Sequence, residues 1–118
     1  MAEETEGWIT AKVTFEMQGK PKEHVEDTLK KYVEKLKEEE NLKVLDTEFG
    51  DAEKLEDDVY GAFCEADMKV KDMETFNWLS MNLMPSAVEI IEPQEFKHSG
   101  KDIQDWINDF LARLHNVD

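Results

Sequence analysis

Arginine is all but absent from this sequence. Arg113 is the only one in 118 residues, and 14 bases in all stand against 29 acids. The resulting net charge of −15 repels polyanions. Nucleic-acid affinity rests on basic stripes that release counterions, and no run here supplies one, so direct nucleic-acid binding is not expected. Anionic membrane surfaces are disfavoured on the same ground. Cysteine is nearly missing too. Cys64 stands alone, which rules out an internal disulfide, and no basic neighbour in sequence lowers its pKa. No apolar run approaches the roughly 18 residues of a membrane span. The acidic start, MAEETEG, lacks the positive segment of a secretion signal, and a cytoplasmic location is expected.

The motifs of several chemistries are absent as well. There is no glycine-rich phosphate loop, no GxSxG, and no CxxC or HxxxH spacing. The acidic run over 51–58 lacks the alternating oxygen ligands and central glycine of a calcium loop. His24, His98 and His115 are far apart in the chain, and only the fold could bring them together. No metal, no cofactor and no catalytic residue is assigned.

The most informative stretch runs from Tyr60 to Pro93. Tyr60, Ala62, Cys64, Ala66, Met68 and Val70 alternate with polar residues, the pattern of a strand with one buried face. Asp72 is a helix cap, with Glu74 in the first turn where the dipole favours negative charge. Met73, Phe76, Leu79, Ser80 and Leu83 then keep helical spacing, Pro85 stops the helix, and residues 87–91 read as a short strand.

Upstream, Ile9, Ala11, Val13, Phe15 and Met17 alternate over another strand, after an acidic segment, 1–7, read as a disordered tail. Pro21 opens a helix with Val25, Leu29, Tyr32, Val33 and Leu36 on one face, expected to run to about residue 39. Its other face carries Glu26 with Lys30 and Asp27 with Lys31 as ion-pair spacings. Residues 42–49 read as a strand of ambiguous face, since Leu42 and Val44 fall on one side and Leu45, Thr47 and Phe49 on the other. Residues 50–58 are either a long hairpin loop or a strand extension turning near Glu56 and Asp57. Finally Ser99, with Asp102 three residues on, opens a helix over 100–115 whose Ile103, Trp106, Ile107, Phe110, Leu111 and Leu114 lie in phase.

One domain over 8–118 follows from the length. Two successive strand–helix–strand units give an α+β fold: a ferredoxin-like βαββαβ antiparallel sheet, four-stranded, with an additional C-terminal helix. The face away from the helices carries Trp8, Thr10, Lys12, Thr14, Glu16, Phe63, Glu65, Asp67 and Lys69. The last helix lies on that face, beside the second helix, or against a partner. No arginine occupies the first strand-to-helix loop, so the acylphosphatase use of this fold is not supported.

The run from Gly61 to Phe96 resembles the regulatory modules at the C-terminus of WYL-domain transcriptional regulators. Trp78, Leu79, Ser80, Val88, Glu89, Ile91, Glu92 and Pro93 carry the likeness, while Asn82, Leu83, Met84 and Pro85 stand where that family usually turns on a glycine. Gly19, between the first strand and first helix, is similar to a glycine of ACT-type domains. The resemblance implies a regulatory or ligand-sensing module. The functional expectation is a non-enzymatic module binding a small effector or a protein partner as a homodimer. Thr14, Gly19, Phe63, Trp78, Trp106 and Phe110 are its ligand or interface candidates. The alternative is a small enzyme using carboxylate or histidine acid–base groups in a cleft between the sheet edge and the last helix.

Overall fold

The computed structural model describes residues 5–116. The chain forms β1 (Ile9–Gly19), α1 (Lys22–Leu36), β2 (Leu42–Phe49), β3 (Glu53–Glu56), β4 (Val59–Val70), α2 (Met73–Leu83), β5 (Ala87–Glu92) and α3 (Gly100–His115). The architecture is α+β. All strand pairs are antiparallel, in the order β2-β4-β1-β5 with β3 also paired to β4.

β1 and β4 form the centre. Their ladder runs from Ile9 opposite Val70 to Gly19 opposite Tyr60. Because opposed residues share a face, Ile9, Ala11, Val13 and Phe15 meet Val70, Met68, Ala66 and Cys64 on one side of the sheet. All eight are buried. Val25, Leu29, Val33 and Leu36 of α1 and Phe76 and Leu79 of α2 complete that core. At about 1.5–3 kcal/mol for each large side chain fully buried, this layer is the main favourable contribution to folding.

The ambiguous phase of β2 has a structural cause. Its ladder with β4 shifts register between Val44 and Asp46, a bulge that lets one strand change which alternate residues face the core. Leu42 and Val44 lie opposite Val70 and Met68, and after the bulge Thr47 and Phe49 lie opposite Ala66 and Cys64. Both apolar sets therefore face the helices, and Leu45 is left half-exposed.

Beyond Gly50 the chain continues as β3, turning through Asp57 and Asp58 back into β4. The sheet thus has a fifth, short strand beyond the four expected. α1 stops at Leu36, before the expected residue 39, because Lys37, Glu38 and Glu39 donate to carbonyls three residues back and tighten the chain into a turn. Glu26 is not paired with Lys30. Its carboxylate accepts the Ala52 N–H at 3.0 Å, tying α1 to the segment between β2 and β3. Of the expected tail, residues 1–4 lie outside the described residues, while Thr5 is buried and its carbonyl accepts the Trp8 N–H at 3.0 Å.

The α2 boundaries follow local chemistry. Asp72 accepts the Thr75 N–H at 2.8 Å, as an N-cap should. At the other end the Tyr32 hydroxyl donates to the Leu83 carbonyl at 3.1 Å, fastening α1 to α2. Met84 closes the helix at φ 47° and ψ 58°, a left-handed position where glycine is the usual residue. Its side chain is 77% exposed, so removing it sacrifices no core packing. Met84→Gly is expected to raise stability by about 1 kcal/mol, the steric cost of a Cβ in this region. Thermal melts should show a gain of several degrees for Met84→Gly and less for Met84→Ala.

Candidate functional site

α3 is built by its own sequence. The Ser99 hydroxyl accepts the Asp102 N–H at 3.1 Å, and Arg113 and His115 occupy the last turn, where cations suit the dipole. The connection over 93–99 folds against it through rings. His98 stacks on Phe96, with centroids 5.8 Å apart, and meets Trp106 edge-on at 4.8 Å. Trp106 is accordingly only partly exposed.

The rest of the apolar stripe is uncovered. α3 packs beside α2 in the helical layer, yet none of its residues is buried. Ile103, Ile107, Phe110, Leu111 and Leu114 are each between 41% and 55% exposed. Between the two helices runs a groove of about 900 Å³ walled by Met81, Met84, Ile107, Phe110 and Leu114, and Arg113 is its one charged residue. Such a surface can bury apolar area and orient one anionic or hydrogen-bonding group. Its lining holds no acid–base pair.

Three of the six candidate residues come together here. Phe110 and Trp106 line the groove, and Trp78, 40% exposed on α2, shares a smaller depression with Trp106 on the Asp109 side. The other three sit apart on the sheet. The Thr14 carbonyl accepts from both the backbone N–H and the hydroxyl of Ser86, which anchors the start of β5. Gly19 ends β1, and an added Cβ would make ordinary contact with Val25 at 3.5 Å. Phe63 lies over Gly50, where a Cβ would overlap its ring, so any larger residue there has to displace that half-exposed side chain. The site candidates left out Met81, Met84, Ile107, Leu114 and Arg113; for Ile107 and Leu114 the helical stripe was the available signal.

His24 stands in the first turn of α1, His98 before α3, and His115 at the end of α3. Among the described residues no group of three His, Cys, Asp or Glu is placed to hold a metal ion, and no helix is long and apolar enough to cross a membrane.

Cys64 is fully buried. Burial pushes its thiol above the ordinary value near 9, reinforced by Glu65 and opposed by a backbone hydrogen bond at Glu48. Tyr32 is raised by burial as well. In both cases the folded state holds its proton more tightly than the unfolded chain. Their contribution to stability is therefore complete below the unfolded pKa and lost as pH climbs through and beyond it. Urea melts should show stability falling from about pH 9 upward, with the onset delayed toward pH 10 in Cys64→Ala. A thiol reagent at neutral pH should label Cys64 only on unfolding.

No curated protein and no solved structure matches the chain, and nothing in these comparisons supports the likeness to WYL-domain regulators or ACT-type domains. A family model matches residues 10–117, from β1 to beyond the end of α3. The chain belongs to the MJ0538 family.

Proposed function

We propose that the chain is a non-enzymatic interaction module of ferredoxin-like build that works as a homodimer, with α3 as the dimer contact. The strand order supports the ferredoxin-like reading. β1 and β2, joined through α1, straddle β4, and β4 and β5, joined through α2, straddle β1, which is how two interleaved strand–helix–strand units pair.

The observation that carries the functional reading is the uncovered stripe of α3. Half-exposure of five large apolar side chains leaves on the order of 5 kcal/mol of burial unrealised. Covering such a face is what the apolar centre of a protein–protein interface does. A second copy fits the charges flanking the stripe. Asp102 and Asp109 precede Arg113 along the helix, with Asp105 held by Lys101 at 3.0 Å, so two α3 helices lying antiparallel about a two-fold axis set these two acids toward the partner's Arg113 end. Such a contact is self-complementary, as a two-fold interface must be, and it meets the repulsion of two −15 chains where repulsion matters most.

Sedimentation velocity at about 50 µM should give a two-subunit species, a concentration at which micromolar affinity is visible. Phe110→Asp and Leu114→Asp should each yield a monomer with unchanged far-UV circular dichroism, because neither side chain belongs to the core. A wild-type protein that sediments as a monomer at every concentration would sink the reading. So would a dimer indifferent to both substitutions.

A further inference from the structure

The opposite face of the sheet holds a row of side chains that the α3 contact does not use. Lys43 on β2 lies opposite Lys69 on β4, Lys69 opposite Thr10 on β1, and Thr10 opposite Glu92 on β5. Both outer ladders are irregular at this row. One register shift falls between Val44 and Asp46 and the other between Thr10 and Ala11. Bulges of this kind re-aim side chains and are enriched beside binding sites. Over the row lies a cavity of about 710 Å³ whose walls include Trp8, Leu45 and Pro93, with Glu6 and Glu92 also at its edge.

One feature of the row asks for a ligand. Like charges directly opposed across a ladder are destabilising, and the ion pairs among the described residues, Lys37 with Glu34 and Lys101 with Asp105, leave both Lys43 and Lys69 without a carboxylate. One row further on, Asp46, Asp67, Lys12 and Glu89 stand side by side, so the ammonium there has carboxylates on both sides.

The geometry points to a binding site for a small aromatic monocarboxylate that carries a hydroxyl or amino group at its far end. Two adjacent ammonium groups bracket one carboxylate with charge-assisted hydrogen bonds. Glu6 and Glu92 oppose a dianion and accept a proton donor instead. Lys69 and Glu92 are two strand spacings apart, roughly 10 Å, a span that one ring with a group at each end fills between the two side chains. Trp8, Leu45 and Pro93 supply flat apolar walls for the ring. The site does not rest on the α3 contact, which lies in the helical layer on the other side of the sheet.

The test is titration of 4-hydroxybenzoate into the full chain, followed by two-dimensional amide NMR. Saturable shifts confined to the neighbourhood of Trp8, Thr10, Lys43 and Lys69 are expected. Lys69→Met and Lys43→Met should each weaken binding by about tenfold, the scale of one charge-assisted hydrogen bond, while Lys12→Gln stays within about twofold. Phenol, lacking the carboxylate, and benzoate, lacking the far donor, should both bind more weakly than the probe. Dispersed spectra of the three variants control for folding. Absence of saturable shifts up to about 10 mM, an affinity floor of weak binding, overturns the inference. Equal losses in Lys12→Gln and Lys69→Met, or identical shifts with acetate, do the same, since they report general charge attraction only.

Discussion

The pairing of β1 with β4 is the constraint on which the remaining structure depends. Both strands place an apolar residue at every second position over their shared ladder, and the register aligns the two apolar sets on one face. A shift of one residue would send Val13 or Met68 to the other side, so burial itself enforces the register. The floor so formed is low at its middle. Ala11, Ala62, Cys64 and Ala66 are small and fully covered, and the larger Leu29, Val33 and Leu79 descend onto them from the helices. Every other strand is added to this pair, β2 and β3 end to end along β4, and β5 along β1.

That arrangement divides the molecule into unequal surfaces. α1 and α2 cover the apolar side of the central strands, but β5 at the edge has Val88 half-exposed on the same side, and α3 adds an apolar face of its own. The helical layer is therefore incomplete at one end, while the far side of the sheet is polar with scattered rings. There close approach of side chain to backbone takes the place of a second layer. Phe63 lies over Gly50 and Leu55 over Gly61, each covering a backbone position that carries no side chain of its own. The acidity of the chain is likewise uneven. Lysines 12, 43 and 69 gather at one end of the open face, and the direct pairing of Glu48 with Glu65 marks its more acidic middle.

Much of this was legible before any coordinates. Period-two alternation located β1 and β4, and helical phase with a cap residue located α2 and α3, because those patterns record which side of an element meets water. The Asp72 and Ser99 caps were readable since capping is settled within four residues. β2 resisted, because a bulge breaks the alternation on which strand reading relies. β3 was one of two readings left open for an acidic segment, a strand turning near Glu56 and Asp57, because its strand character comes from pairing with β4 and not from its composition. The Glu26 carboxylate was assigned a helical neighbour at four-residue spacing, whereas it reaches a backbone N–H that is 26 residues away in sequence.

By itself, then, the amino-acid order determined the elements and the buried face of most of them, since both are written in local periodicity and in the cost of wetting apolar side chains. It also determined the net charge and the lack of a second cysteine, which hold in any conformation. Only the tertiary structure decided whether the stripe of α3 is covered, because exposure depends on which elements lie opposite, and none of this chain's does. The same is true of the row from Lys43 to Glu92. Its members are spread over four strands, and register alone brings them side by side.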